Sequence, residues 1–225
     1  MITSNVYHRI RQLRIGDNVG TGFAIDIGRR QYLVTANHLL EQWQPGQAIG
    51  ICHAGDWIPL RPTLVGRNEA ADVAVFSTSC QVCHPLTMEP TAANLIWTQD
   101  VYFLGYPHGW RAEVPEQLNG GYPLPFVKKA IVSAMVTANG FETIFLDGHN
   151  NPGFSGGPVV FKPQGGGELQ VCSVVTGFRY VPEPIYDEDA ELPFMLRSNT
   201  GIIESSNINT VVRIIEQNPI GFPLP

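Results

Sequence analysis

The sequence is poor in charged residues and has no cluster of basic ones. Only 15% of the 225 residues are Asp, Glu, Lys or Arg, and the formal net charge is -6. Proteins that bind nucleic acid need clustered Lys and Arg to contact the phosphates. Because no basic stripe is present, we expect no nucleic-acid partner.

Long apolar runs are also missing. No segment approaches the roughly 20 apolar residues that cross a bilayer, so we expect no membrane partner. The first residues, MITSNVYHRIRQLRIGDN, carry scattered charges without a continuous apolar segment, unlike a secretory signal. We therefore predict a cytoplasmic protein, unless a leader has been removed.

Cysteine is scarce and lacks the spacing of a disulfide framework. The chain has four cysteines, at positions 52, 80, 83 and 172, and we predict mostly reduced thiols. Residues 80–84, CQVCH, resemble a c-type haem attachment motif. A zinc site from Cys80, Cys83 and His84 lacks an evident fourth ligand. We favour a loop here, and we expect no cofactor and no metal.

Glycine and proline are abundant, with 23 and 18 residues. Frequent turns favour many short strands. Apolar alternation recurs at short intervals, in GTGFAIDI, QYLVTANHLL, ADVAVFST, DVYFLGYP, KKAIVSAMV and LQVCSVVTGF. The pattern predicts an all-β sandwich or barrel.

Two segments depart from this alternation. Residues 207–217 place apolar side chains on a helical stripe, and Pro219 follows, which predicts a helix. Residues 183–193, EPIYDEDAELP, are acidic. We predict an exposed loop for them, and the alternative is attraction of a basic substrate.

Ser155 stands among glycines in GHNNPGFSGGPVV, residues 148–160. Glycine clusters mark turns or close backbone approach, so this is either a surface loop or a nucleophile held among backbone amides. A serine nucleophile needs a base, and the base needs an orienting acid. Although GFSGG satisfies the Gly-x-Ser-x-Gly pattern of α/β-hydrolases, no histidine follows Ser155 as their order requires. The remaining order is His, Asp, Ser.

His38 and Asp72 fit that order. His38 ends a buried strand in LVTANHLL, and Asp72 precedes a strand in EAADVAVF. The other aspartates between His38 and Ser155 are Asp56, Asp100 and Asp147. The first two lie in polar, turn-like surroundings, and the third is close enough to the serine to shape its loop. We predict that His38, Asp72 and Ser155 are the catalytic residues.

The segments GTGFAI, LVTANH, ADVAVF and NPGFSGGPVV, in this order, resemble the trypsin-like serine peptidases. NPGFSGGP is most similar to the bacterial high-temperature-requirement type, and the likeness spans about residues 18–216. The resemblance implies one peptidase domain over residues 1–225, built from two six-stranded antiparallel β-barrels. Residues 1–88 would form the first barrel and residues 94–203 the second, with the helix at 207–217 outside and the active site between the barrels.

The same resemblance implies roles for individual residues. Ser155 would attack a peptide carbonyl, His38 would accept its proton, and Asp72 would orient the histidine. The backbone N–H groups of Gly153 and Ser155 would form the oxyanion hole. The walls of the substrate pocket would come from His149, Asn151, Val174, Val175, Thr176 and Gly177. The valines suggest an apolar lining, and His149 is either a rim residue or one that favours acidic or polar side chains.

Some positions depart from the family. Phe154 replaces the aspartate that many secreted relatives use after N-terminal cleavage, so we expect no such activation, and the chain leaves no room for a PDZ domain. Two hypotheses remain: an active serine endopeptidase that cuts exposed or unfolded polypeptide, or a latent or inactive module that binds peptides or partners and needs an activator. The presence of His38, Asp72 and Ser155 favours the enzyme. The oligomeric state stays open.

Overall fold

The computed structural model describes residues 2–188 and 190–225. The first seven strands are β1 (Ile10–Ile15), β2 (Asn18–Ile27), β3 (Arg30–Ala36), β4 (Ile49–His53), β5 (Asp56–Leu60), β6 (Thr63–Asn68) and β7 (Val73–Ser77). The others are β8 (Asp100–Gly105), β9 (Phe126–Ala138), β10 (Phe141–Asp147), β11 (Pro158–Phe161), β12 (Gln170–Asp187), β13 (Ala190–Asn207) and β14 (Phe222–Pro223). The helices are α1 (Ser4–Tyr7), α2 (Glu116–Asn119) and α3 (Asn209–Gln217).

The strands form two antiparallel sheets, which confirms the predicted all-β class. The second sheet closes into a barrel of six strands in the order β10, β13, β12, β11, β8, β9. The first sheet has eight strands, in the order β5, β4, β1, β2, β3, β7, β6 with β14 added on β3. It exceeds the expected six because a β4–β5 hairpin extends one edge and β14 pairs with Arg30 and Gln31, which β7 leaves free.

The two sheets share a central hydrophobic core. Strand β7 is apolar on both faces: Val73 and Val75 point into the shared core, while Ala74 and Phe76 point into the first sheet's own core. From the other side, β11 and β12 contribute Val160 and Val174 to the shared core, whereas their neighbours Val159 and Val175 fill the barrel interior. This alternation is why both strands carry consecutive buried valines.

The predicted C-terminal helix is confirmed as α3. Its buried face presents Val211 and Ile215 to the shared core, and it packs against β6 and β7. Asn218 and Pro219 follow its last residue. Among the residues described here, no helix combines the length and apolar character that crossing a bilayer requires.

The prediction of a loop at residues 183–193 is wrong. Strands β12 and β13 continue as a hairpin to Asp187 and Ala190, in a ladder that includes Val181 with Ser198 and Glu183 with Leu196. Apolar residues between the acids support a strand, and prolines are tolerated where a strand lies at a sheet edge. Because the segment is rich in acidic residues, its strand pattern was not recognised in the sequence.

The four cysteines are free thiols, as predicted. Cys52, Cys83 and Cys172 are buried, and Cys80 is exposed. Burial raises the pKa of Cys172 to about 12, so this thiol stays protonated at neutral pH. Residues 80–84 form a loop between β7 and β8, as we favoured.

Candidate active site

His38 lies in a tight turn directly after β3. The strand ends at Ala36, earlier than the sequence suggested, and Asn37–Leu40 form a 3₁₀ helix. His38 Nδ1 lies 2.6 Å from Asp72 Oδ2, and the His38 main-chain N–H donates to Asp72 Oδ1 at 2.7 Å. One carboxylate thus holds both the ring and the backbone. With the proton on Nδ1, Nε2 of the neutral ring is left to accept another proton.

Asp72 adopts a left-handed backbone conformation with φ of 53°. Such a conformation is uncommon for a residue other than glycine and is maintained by its surroundings. The Asp72 carbonyl accepts the Asn37 N–H at 3.1 Å, and the Asp72 N–H donates to Glu69 O at 3.3 Å. The turn before β7 is therefore tied to the end of β3, and the Asp72 carboxylate is fixed toward His38.

The pKa of His38 is raised above its ordinary value of 6.5. Burial alone lowers it, because removal from water disfavours the charged imidazolium. The hydrogen bond and the negative charge of Asp72 act in the opposite direction, Glu41 adds to them, and together they outweigh burial. The site is thus arranged to stabilise a protonated His38.

Residues 152–157, which we call the serine loop, are held in place through hydrogen bonds that their main-chain carbonyl groups accept. Pro152 O accepts the His108 N–H at 2.7 Å, Gly153 O accepts the Thr21 hydroxyl at 2.7 Å, and Ser155 O accepts the Thr21 N–H at 2.9 Å. The N–H groups of Gly153 and Ser155 have no hydrogen-bond partner among the described residues. Since C=O and N–H point in opposite directions across a trans peptide, the bond to His108 directs the Gly153 N–H away from that turn.

Two glycines of the loop are required by close backbone packing. Gly153 has φ of 103°, and a Cβ at this position would lie 2.2 Å from Tyr106 O. Gly156 has φ of 83°, and its Cβ would lie 2.1 Å from Thr21 O. Any side chain at these positions would push the serine loop off the strands that support it.

The serine loop lies close to the 3₁₀ helix Asn37–Leu40, which carries His38, where the two sheets pack together. A Cβ on Gly20 would lie 2.5 Å from the Leu39 side chain and 3.3 Å from Ser155 O. The structure thus brings Ser155 close to the turn that carries His38. No hydrogen bond joins Ser155 Oγ to His38 within residues 2–188 and 190–225. Such bonds are often long without substrate and tighten when it binds.

The predicted pocket residues on β12 separate into two groups. Val174 and Val175 are fully buried in the cores, so their side chains do not face an open cavity. The Thr176 hydroxyl donates to Glu204 O at 3.1 Å. A Cβ on Gly177 would contact nothing within 4 Å, so open space adjoins this residue. Of the four, Thr176 and Gly177 are the ones at the surface of the site.

A cavity of about 290 Å³ lies between the two sheets beside these residues. Asp72 lines it from the first sheet, and Thr176 and Arg179 line it from the second. The carboxylate that binds His38 and the strand after Val175 therefore border the same space. His38 and Ser155 are not among the residues that line this cavity, so it adjoins the candidate site only on the side of Asp72 and Thr176.

The segment before the serine loop contains residues that the sequence did not single out. His149 is exposed, but its neighbour Asn150 is buried, and the Asn150 amide donates to Gly177 O at 3.2 Å. The Lys128 ammonium donates to Asn151 Oδ1 at 2.7 Å and to His149 O. Asn150 and Lys128 thus fix residues 148–151, which we call the pocket segment. The Asn-Asn pair before Pro152 was a signal for such a turn, whereas nothing near Lys128 indicated its contact.

No metal-binding cluster is found in the part of the chain that the structure describes. There is no group of three or more His, Cys, Asp or Glu residues arranged to hold an ion. Cys83 is buried, and burial raises the pKa of its thiol.

A family model described as the trypsin-like peptidase domain matches residues 20–166. No curated protein matches the sequence significantly. The matched residues include His38, Asp72 and the whole serine loop.

Solved protease structures share the fold at low sequence identity. The active form of the Rv3671c protease from M. tuberculosis is 18% identical, with a TM-score of 0.62 over 98% of this chain and 85% of that one. Its inactive form gives a TM-score of 0.62 and 18% identity over 95% and 90% of the chains. The HtrA-type protease AlgW, a serine-to-alanine variant with a tripeptide, is 19% identical, with a TM-score of 0.59 over 95% of this chain and 61% of that one. These matches confirm the predicted fold class.

Proposed function

The chain belongs to the trypsin-like peptidase family, and we propose that it is a serine endopeptidase acting through Ser155, His38 and Asp72. The observation that carries the proposal is the pair of contacts from one Asp72 carboxylate to the His38 ring and backbone, at 2.6 and 2.7 Å. Exposed or unfolded polypeptide is the proposed substrate. We also propose that residues 1–225 work as one peptidase domain with its site between the sheets.

Attack on the substrate begins with the serine hydroxyl. Ser155 Oγ adds to the peptide carbonyl carbon as His38 Nε2 takes its proton, and the Asp72 carboxylate stabilises the resulting imidazolium. The carbonyl oxygen becomes an oxyanion. The Gly153 and Ser155 N–H groups, which lack partners among the described residues, are the proposed donors to it. Each such donor contributes about 3 kcal/mol in the transition state.

Collapse of this intermediate returns the proton. His38 protonates the departing amine, the peptide bond breaks, and the acyl group remains on Ser155 Oγ. A water molecule then attacks the ester with His38 again as the base, which releases the acid and restores the serine. The raised pKa of His38 supports both steps, because the imidazolium must form each time.

A latent or partner-binding module is the second candidate function. It is favoured by the lack of a hydrogen bond between Ser155 Oγ and His38 among the described residues. In such a module, a ligand would have to bring the two side chains together before turnover. The same chemistry would then operate only in the presence of the activator.

Labelling with a fluorophosphonate probe tests the proposal directly. The wild type is compared with Ser155→Ala, and the modified peptide is identified by mass spectrometry. We expect a label on Ser155 that is absent from the variant, since only an activated serine reacts. Folded wild-type protein that takes no label would contradict the active enzyme and support the latent module.

A further inference from the structure

The hairpin formed by β12 and β13 extends well beyond the barrel. Strand β11 pairs with β12 only up to Val174, and the ladder of β12 with β13 continues out to Asp187 and Ala190. We refer to residues 179–199 as the hairpin arm. Several of its large apolar side chains are more than half exposed, including Phe194 at 65%, Met195 at 62% and Tyr186 at 57%.

The arm is apolar on both of its faces. The strand register places Tyr180, Pro184 and Met195 on one face. Because side chains alternate along a strand, the opposite face holds Val181, Leu196 and Phe194. A two-stranded ribbon is marginally stable in water, and exposed apolar surface of this kind marks an interaction site. A binding partner is therefore expected to cover the arm.

The position of the arm connects it to the candidate site. Its base is bonded to the pocket segment: the Asn199 amide donates to Asn150 O at 2.7 Å, and the Gly148 N–H donates to Gly201 O at 2.8 Å. Beyond Val175, strand β12 has β13 on one side and no strand on the other, within residues 2–188 and 190–225. An open edge that starts beside Ser155 can accept an extended peptide as a further strand.

The direction of β12 fixes which part of that peptide meets the arm. All neighbours in this barrel are antiparallel, and β12 runs from the barrel outward. A peptide added in the same manner runs from the arm's tip toward Ser155. The residues N-terminal to the scissile bond would therefore lie along the arm.

The charges of the arm select a basic partner. Its acidic residues include Glu183, Asp187, Glu188 and Glu191, none of which has an ion-pair partner among the described residues. Of its two arginines, Arg179 is paired with Glu204 at 2.8 Å, and Arg197 lies over the Tyr180 ring at 4.6 Å. A second copy of the chain, with a net charge of -6 and the same acidic tip, would be repelled.

Prolines limit how the peptide can bind. Pro182 and Pro184 have no N–H to donate, so the outer part of β12 supports only an interrupted ladder with a new strand. Contact with the arm must then come mainly from side chains. The arm offers apolar and acidic groups for that purpose.

We propose that the hairpin arm is an accessory substrate-binding surface for extended polypeptide, which recognises apolar and basic side chains N-terminal to the scissile bond. This inference rests on the proposed peptidase function. It names a substrate class that the cleft alone does not define.

Extended peptides of defined charge test the proposal. A short quenched fluorescent peptide that the wild type cleaves is lengthened by nine residues, the span of β12 beyond Phe178. The extension alternates Leu with Lys or Leu with Glu, and it is placed at either end. We expect the N-terminal Leu-Lys extension to raise kcat/KM about tenfold, and the Leu-Glu and C-terminal extensions to leave it nearly unchanged.

Two variants and a matched control locate the effect. Replacing residues 184–195 with Asn-Gly closes the arm at the Glu183 and Leu196 pair and should abolish the gain while the short peptide is still cleaved. The triple change Glu183→Gln, Asp187→Asn and Glu191→Gln should reduce the gain roughly threefold. The control removes three exposed carboxylates elsewhere, by Glu116→Gln, Glu168→Gln and Glu216→Gln, and should retain it.

The outcomes separate this proposal from the proposed function. An equal gain in the shortened variant, or an equal gain from a C-terminal extension, would overturn the role of the arm. So would sedimentation velocity that shows a wild-type oligomer lost on shortening, because a second copy would then cover the arm. If no peptide is cleaved, the peptidase proposal fails by itself. In that case the arm is tested by fluorescence anisotropy, which measures binding of the Leu-Lys peptide to Ser155→Ala with the full arm and with the shortened arm. Binding about tenfold weaker with the shortened arm would still support the proposal for the arm.

Discussion

Among single residues, Asp72 combines an uncommon backbone conformation with two contacts to His38. It keeps a left-handed backbone, with φ of 53°, while its carboxylate binds the His38 ring and the His38 N–H. Asp56, the nearest alternative in sequence, is exposed on β5 and pairs in register with His53. The structure therefore places Asp72, and not Asp56, against the candidate base.

Asp72→Asn should lower kcat by about 10⁴, because the amide favours the wrong tautomer of His38. The free energy of unfolding should change little, since the asparagine amide has nearly the same shape as the aspartate carboxylate. Steady-state kinetics on a cleaved peptide measure the effect, and Asp56→Asn is the control. A large loss in the Asp56 variant with a normal Asp72 variant would overturn the assignment.

The pH dependence of kcat/KM should show an acid limb set by His38. The base works only when neutral, and its raised pKa means that activity falls as the pH drops through a midpoint above 6.5. Asp72→Asn removes the hydrogen bond and the charge that raise this pKa, so the midpoint of the limb should move to lower pH. An acid limb that stays in place in this variant would show that another group titrates.

Thr21 holds the serine loop from the adjacent sheet and is fully buried. Its hydroxyl donates to Gly153 O at 2.7 Å and accepts the Tyr106 N–H at 3.2 Å. Thr21→Val keeps the shape but loses both bonds, so kcat should fall about tenfold or more, with KM little changed. Thr21→Ser keeps the hydroxyl and should restore kcat, whereas an equal loss in both variants would indicate a packing defect only.

At the scale of elements, the serine loop depends on the barrel interior through Phe154. This side chain is fully buried and packs edge-on against Phe103, with ring centroids 4.9 Å apart. It occupies the position where many secreted relatives have a charged residue, and here the loop is anchored by apolar packing.

Phe154→Ala should reduce the free energy of unfolding by about 3–5 kcal/mol, the cost of removing a buried aromatic side chain. Urea denaturation measures it. Phe126→Ala serves as the control, because Phe126 is 42% exposed and its removal should cost little. Similar losses in the two variants would contradict an anchoring role for Phe154.

For the whole molecule, the shared core packs apolar side chains of the two sheets against one another. Val73 and Val75 meet Leu104 and Val160 in a single cluster that also includes the buried face of α3. The candidate site lies across this junction, with His38 and Asp72 on one sheet and the serine loop on the other. Its geometry thus depends on how the sheets pack.

Leu104→Ala should destabilise both sheets together, by about 2–5 kcal/mol. Trp43 packs in the core of the first sheet, so its fluorescence reports the unfolding of that sheet. Circular dichroism reports the loss of strands in both sheets. In a urea titration, the Trp43-dependent fluorescence change and the dichroism change should shift to the same lower midpoint. Two separate midpoints would show that the sheets unfold independently.

Much of the site could be predicted from the sequence because the relevant signals are local. The glycines around Ser155 reflect backbone requirements of the serine loop itself, and the order of histidine, aspartate and serine is readable along the chain. Several strands, among them β2, β3, β7 and β8, were evident from alternation, and α3 from its helical stripe.

Other features depended on contacts between distant segments. The Thr21 hydroxyl reaches Gly153, the Lys128 ammonium reaches Asn151, and Val174 and Val175 turn into two separate cores. No local pattern encodes these distances. The eighth strand of the first sheet, β14, likewise exists only because the end of the chain returns to β3.

The sequence alone therefore determined the family resemblance, the all-β class and the identity of the candidate triad, because each depends on residue type and spacing. Tertiary structure decided the rest. It placed one Asp72 carboxylate on both the ring and the backbone of His38, left the Gly153 and Ser155 amides without partners among the described residues, and made residues 183–193 part of a projecting hairpin. Those features arise from the packing of two sheets and from strand pairing, which a chain acquires only when it folds.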